Sequence, residues 1–493
     1  MDLDPDAAYR ALAARDARFD GQLYVGVTST GIYCRPVCRV RTPQRRHCRF
    51  FGSAAQAEAA AFRPCLKCRP EIAPGAGLPW SVMDASRTLA RQAAQALDAQ
   101  AGSGEAPALT ALAARLGVSD RHLRRIFVTE HGVTPLQYLQ TRRLLLAKQL
   151  LTDSALPVAQ VALASGFRSL RRFNACFVQR YRMSPSRLRS AAAGPSRAAA
   201  AAPEAVVLTL SYRAPYDHAA LLRFVAQRAI PGIEQVDGTT IRRSLRAGSV
   251  AEPAGWIEAG FLPAQQRVQL RFAAALAPAS ARLVLLARRW LDLDAAPQTI
   301  DAALAALPGP PGIRLPGSLD AFELAVRAVL GQQVTVAAAR TLACRLVARF
   351  GMPLATPWHD ITRAFPAPDM LAAAAPADIA ALGIVRTRAQ ALVALAQAWP
   401  GLAALLERPG EPQALVDALT ALPGIGAWTA HYIAMRAAGW PDAFPPGDVA
   451  VLKALRRHDA ALTPRAALAQ AEAWRPWRAY AVLRLWNSLS PTP

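Results

Sequence analysis

At 493 residues the chain is too long for a single hydrophobic core, and three or four domains are expected. Lysine and arginine number 57 against 34 acidic residues, and the net charge of +23 points to a polyanionic partner, nucleic acid before a membrane surface. No apolar run reaches the roughly 18 residues that span a bilayer, and Met1-Asp-Leu-Asp-Pro-Asp6 has no apolar signal core, so a soluble, cytoplasmic chain is expected.

Residues 1–74 carry the first chemical signal. Cys34-Arg-Pro-Val-Cys38 and Cys65-Leu-Lys-Cys68 are two close cysteine pairs able to meet at one tetrahedral ion. Soft thiolates at such spacing favour zinc. Cations crowd the pairs: Arg35, Arg39, Arg41, Arg45, Arg46, Arg49, Arg63, Lys67 and Arg69. The other cysteines are Cys48, Cys176 and Cys344, and an odd total of seven without a signal peptide argues against a disulfide framework. Cys48 is expected to pack; Cys176 and Cys344, inside apolar helical patterns, are expected as buried small hydrophobes.

Pro74-Gly-Ala-Gly-Leu-Pro79 reads as a linker to a helical region over residues 80–190. Two helix-turn-helix units lie there. In the first, Leu109–Leu116 ends at Gly117 and Ser119 caps a second helix carrying Arg121, Arg124 and Arg125. In the second, Val158–Ser165 ends at Gly166, and Ser169 caps a helix with Arg171 and Arg172, preceded by Arg168. An alanine-rich linker covers 191–204. Val206–Tyr212 and Val268–Phe272 read as strands which, with a helix near His218–Gln227, define a small α/β layer over 205–313. Residues 314–493 form the last domain, almost wholly helical in pattern from Leu319 onward. Within them, Leu422-Pro-Gly424-Ile-Gly426-Ala-Trp428 is a helix-hairpin-helix signature whose glycines let backbone approach a phosphate. Phe444-Pro-Pro-Gly447-Asp448 follows. The fold class is multidomain and mainly α.

These motifs carry three resemblances. Gly31-Ile-Tyr-Cys34-Arg-Pro-Val-Cys38 with Phe62-Arg-Pro-Cys65-Leu-Lys-Cys68 resembles the zinc-binding α+β domain of the Ada methylation-response family. That resemblance implies one zinc on Cys34, Cys38, Cys65 and Cys68, with Cys34 taking a methyl group from a DNA phosphotriester. The paired helix-turn-helix units, closed by Tyr181-Arg-Met-Ser-Pro185, resemble the AraC family of regulators. This implies two recognition helices in successive major grooves of a promoter operator, with RNA polymerase as a further partner.

The stretch from about Val206 to Trp486 resembles AlkA-type 3-methyladenine glycosylases, implying a TATA-binding-protein-like α/β subdomain before an all-α helix-hairpin-helix core. Asp448 is then catalytic, Trp428, Tyr432 and Trp486 line the base pocket, and Gly424, Gly426 and Gln333 meet DNA. Gln333 stands where the family has an apolar wedge. Trp428 replaces the lysine of strand-cutting relatives, so no Schiff-base lyase is expected. No cysteine follows Cys344, so no iron–sulfur cluster is expected, nor any organic cofactor. No Pro-Cys-His-Arg motif occurs, and O6-alkylguanine repair is not expected.

The combined expectation is a monomer that releases alkylated bases from double-stranded DNA and regulates transcription in response to methylation. Two rivals stay open: a regulator whose glycosylase half only holds DNA, and a glycosylase whose N-terminal modules only add affinity, with a purely structural zinc.

Overall fold

The computed structural model describes residues 4–75, 85–105, 107–192, 204–246, 254–406, 412–457 and 459–489. Most of the two expected linkers lies outside these residues. The chain forms two compact units, Met1–Arg213 with Leu262–Leu285, and Ala214–Phe261 with Leu286–Pro493. The stretch 205–313 therefore contributes to both.

In the first unit, strands Tyr24–Val27, Ile32–Cys34, Cys48–Phe51 and Arg63–Pro64 make a four-stranded sheet. The hairpin places Val25 opposite Cys34, and parallel pairing sets Tyr33 beside Pro64. The backbone N–H of Cys65 donates to the Tyr33 carbonyl at 3.0 Å. This register joins the two cysteine pairs across 26 intervening residues. Tyr24, Tyr33, Phe51 and Phe62 fill the core beneath. A Cβ at Gly26 would lie 2.9 Å from the Phe51 and Phe62 rings, so only glycine lets them close.

The helical region follows its capping chemistry. Ser119 Oγ accepts from His122 N at 3.2 Å ahead of helix Asp120–His131, and Ser169 Oγ accepts from Arg172 N at 3.3 Å ahead of Leu170–Tyr181. Gly117 and Gly166 turn with φ of +70° and +80°. Helix Pro135–Asp153 starts with a Thr134/Gln137 capping box and is the buried axis of the region. Along helix Leu170–Tyr181, the rings of Phe173, Phe177 and Tyr181 pack in sequence, the first pair tilted at 5.5 Å and the second edge-on at 4.7 Å. Strand Ala205–Ser211 pairs antiparallel with Arg267–Ala273, each one residue longer at its start than the sequence pattern indicates.

The second unit contains helix His218–Arg228 and an antiparallel meander of Glu234–Asp237, Thr240–Arg246 and Ala254–Leu262. These strands escape the sequence reading because Arg242 and Arg243 interrupt their apolar alternation. Arg243 is buried and paired with Glu234 and Glu323. Apart from the short antiparallel pair Met352–Pro353 with Arg363–Ala364, a local departure from the all-α core the sequence implies, the remainder is helical and packs into two apolar cores. One helix corrects the expectation on apolar runs. Arg386–Leu406 is long and apolar enough, by length and composition, to cross a membrane. It packs Ala389, Leu392, Leu395 and Leu402 into the helical core and contains Pro400.

Candidate metal centre and aspartate pocket

The sulfurs of Cys34, Cys38, Cys65 and Cys68 all lie within 4.8 Å of one another, and all four residues are buried. Hydrogen bonding among the thiols pushes Cys34 and Cys68 above the usual thiol range and pulls Cys38 and Cys65 below it. Four sulfurs this close cannot all ionise without a cation, and an all-thiolate donor set suits zinc. The donor set therefore fits the ion that the sequence implies. Cys48 is buried away from this cluster, as expected, whereas Cys176 and Cys344 are half-exposed on their helices rather than buried.

Two cations of the expected basic ring do not face solvent. Arg35 is buried; its Nε donates to Asp20 Oδ1 at 2.7 Å and its Nη1 to the Cys68 carbonyl at 3.0 Å. Nη2 pairs with Asp20 Oδ2 and reaches Ser211 Oγ at 3.2 Å. Arg69 is held by Glu71 and Asp153 at 3.0 and 2.7 Å. Arg35 and Arg69 thus serve packing, because nearby carboxylates compensate them. Arg39, Arg41, Arg46, Arg49 and Lys67 remain exposed.

Of the helix-turn-helix cations, Arg121, Arg124, Arg125, Arg168, Arg171 and Arg172 are all exposed. Arg124 is tied to Asp120 at 2.8 Å and Arg125 touches His122 Nδ1 at 3.1 Å.

In the second unit, Asp448 is only 7% exposed and caps helix Val449–Leu455. Trp428 Nε1 donates to Oδ2 at 2.7 Å, Trp486 Nε1 to Oδ1 at 3.0 Å, and Val451 N to Oδ1 at 2.8 Å. Trp428 stacks on Tyr432 with centroids 5.2 Å apart and planes 10° apart; Trp486 lies 6.2 Å from Tyr432. The aspartate and the three aromatics named from sequence therefore form one cluster. Asp448 is at once a helix cap and the centre of that cluster.

The hairpin is built around Gly424, whose φ is +78° and where a Cβ would stand 2.9 Å from Ala391 Cβ. Gly426 has extended backbone and open space at its Cβ position, so nothing among the described residues demands glycine there. Gln333 is exposed with φ +52°. Its neighbour Gln332, missed in the sequence, does the anchoring. Gln332 Nε2 donates to the Gly424 carbonyl at 2.9 Å and to Thr429 Oγ1 at 3.0 Å, and Arg388 donates to its carbonyl at 2.7 Å. Arg228 and Arg436, beside Tyr432, were also missed; the only local signal is that Arg436 stands four residues after Tyr432.

Four family models match in tandem: the metal binding domain of Ada at residues 7–71, a helix-turn-helix domain at 112–191, the AlkA N-terminal domain at 207–320, and the HhH-GPD superfamily of base excision DNA repair proteins at 326–479. A Mycobacterium tuberculosis protein named "Probable bifunctional transcriptional activator/DNA repair enzyme AlkA" is 37% identical over 99% of this chain and 97% of its own length. The chain belongs to that AlkA-type bifunctional activator/repair family. Partial relatives divide along the same lines. DNA-3-methyladenine glycosylase 2 of Escherichia coli is 38% identical over 56% of this chain and 96% of its own. The Escherichia coli bifunctional activator/repair enzyme Ada is 34% identical over 29% of this chain and 37% of its own. In this AlkA-type chain the cysteine cluster lies in the Ada-type metal-binding domain, and Asp448 lies in the HhH-GPD domain.

Proposed function

We propose that the protein excises alkylated bases from double-stranded DNA at Asp448 and records backbone methylation at Cys34, using the second event to control transcription. The observation that carries the repair reading is the grip of two indole N–H groups on both oxygens of Asp448, beside an aromatic stack.

Alkylated purines leave readily, so the chain has mainly to hold the flipped base and meet positive charge at the sugar. Trp428, Tyr432 and Trp486 offer ring faces to the base. Asp448, fixed from three sides, stabilises the oxocarbenium-like sugar and orients the water that adds at C1′. Gly424, Gly426 and Gln333 approach the backbone and the gap in the duplex. Trp428 occupies the position of a Schiff-base lysine, so strand cleavage does not follow base release.

In the metal-binding domain, Cys34, Cys38, Cys65 and Cys68 would hold one zinc, which keeps cysteine sulfur deprotonated at neutral pH. Cys34 Sγ attacks the methyl carbon of a phosphotriester. The new S–C bond forms as the C–O bond breaks, and the electron pair stays on the phosphate oxygen. The resemblance to Ada selects Cys34 among the four. The sulfur gives up one negative charge in this step, so repulsion between the module and the DNA backbone falls. Arg121, Arg124, Arg125, Arg168, Arg171 and Arg172 then bind an operator more tightly and RNA polymerase is engaged. The acting species is a cytoplasmic, nucleoid-associated monomer.

DNA carrying radiolabelled methyl groups tests both chemistries together. Label on Cys34 and in free purines is the expected result. Label only on protein would leave a regulator whose HhH-GPD half holds DNA; label only in free bases would leave a structural metal site.

A further inference from the structure

Arg436 ends helix Ala427–Arg436, one turn beyond Tyr432, and its side chain lies along the same face. Its Nη1 donates to Tyr432 Oη at 2.6 Å, and its Cζ stands 5.4 Å from the Tyr432 ring centroid and 4.8 Å from that of Phe224. Carbonyls of Pro316 and Gly317 hold its Nε and Nη2 at 2.7 and 3.3 Å. Arg228 stacks on the other member of this group, with Cζ 3.7 Å from the Phe224 centroid.

The charge balance here is unusual. Neighbouring Arg243 and Arg327 are matched by Glu234 and Glu323. Among the described residues, no carboxylate pairs with Arg436 or Arg228. Burial pushes the Tyr432 phenol up, but Arg436 and Arg228 outweigh it and hold the group below its ordinary range. One end of the aromatic cluster around Asp448 therefore carries fixed, uncompensated positive charge. Because Tyr432 Oη accepts from Arg436, its own O–H is left to donate elsewhere.

We propose that Arg436, acting through Tyr432, is a specificity-determining residue that tilts the pocket from cationic lesions toward neutral damaged purines of the hypoxanthine class. This rests on the base-release reading above. In that reaction the C1′–N bond breaks with its electron pair going to the base nitrogen, while water oxygen bonds to C1′ and its proton passes to Asp448 or solvent. A cationic base, such as 7-methylguanine, leaves neutral. A neutral purine leaves with a negative charge, neutralised by a proton from solvent. Fixed positive charge and a polarised phenol O–H stabilise the second departure, and the same charge repels a cationic base before it reacts.

The test uses the full-length protein and duplexes containing one hypoxanthine or one 7-methylguanine, with single-turnover release rates for each. Arg436→Gln is expected to lower the hypoxanthine-to-7-methylguanine rate ratio by about tenfold. Arg436→Lys, which keeps the charge, retains most of the ratio, and Tyr432→Phe lowers it. Should Arg436→Gln not fold, the contrast between Arg436→Lys and Tyr432→Phe decides. An unchanged ratio, or equal loss on both substrates in every variant, overturns the proposal. Wild-type protein that releases 7-methylguanine but no hypoxanthine overturns it alone; release of neither base overturns the glycosylase reading with it.

Discussion

Trp428→Phe isolates one hydrogen bond to the proposed catalytic carboxylate. Phenylalanine keeps an aromatic face against Tyr432, where the stack is nearly parallel at 5.2 Å, but removes the Nε1–H that reaches Asp448 Oδ2 at 2.7 Å. A hydrogen bond to a charged group contributes about 1.5–3 kcal/mol. Asp448 Oδ2 has no second protein donor among the described residues, while Oδ1 keeps Trp486 and Val451. The carboxylate then rotates more freely about its remaining contacts. If the whole contribution is expressed in the transition state, base release slows by roughly 10- to 150-fold, since each 1.36 kcal/mol is a factor of ten. Trp486→Phe removes a longer bond from an oxygen that retains a donor, so its loss is expected to be smaller. Single-turnover release from a 7-methylguanine duplex measures both, with DNA affinity measured alongside. A Trp428→Phe enzyme at the wild-type rate, or one slower than wild type only in proportion to lost DNA binding, would refute this role for the indole.

Asp448→Asn is expected to abolish base release while DNA binding and Cys34 methylation persist; a fully active variant rejects the catalytic assignment. Cys34→Ala removes methyl acceptance and leaves base release unchanged, as mass spectrometry of the protein and base-release assays would report. Glu58 gives a pH prediction: it is fully buried, accepts from Tyr33 Oη at 3.0 Å, and burial pushes its carboxyl up to about 7. Between the ordinary carboxyl range and about pH 7 the folded state holds a proton that the unfolded state has lost, so stability falls as pH rises through this window. Full ionisation costs on the order of 3 kcal/mol by linkage. Glu58→Gln should flatten the dependence of melting temperature on pH from 5 to 8, and an unaltered slope would sink the assignment. Gly166→Ala should destabilise the helix-turn-helix region by more than about 1 kcal/mol, because φ is +80° and the new Cβ would lie 2.2 Å from the Ala101 carbonyl oxygen; an unchanged denaturation midpoint would contradict that.

Much of this protein was legible from local sequence because its chemistry is announced by short-range spacing. Two close cysteine pairs, a glycine turn followed by a capping serine, and a Gly-x-Gly hairpin each place their residues within one or two turns of backbone. Even the meeting of Asp448 with Trp428, 20 residues apart, followed a family pattern. What the sequence does not display is which charges neutralise one another. Arg35 looks like one more cation beside the cysteines until the fold brings Asp20 and Ser211 to it. Gln332 and Gln333 are adjacent and identical, yet only Gln332 is drawn inward to Gly424 and Thr429. Arg436 becomes notable only once Tyr432 and Phe224 gather around it and, among the described residues, no carboxylate pairs with it. Motif and cap are written in neighbouring residues, whereas compensation of charge depends on strand register and helix packing between segments far apart in the chain, and only the tertiary structure decides it.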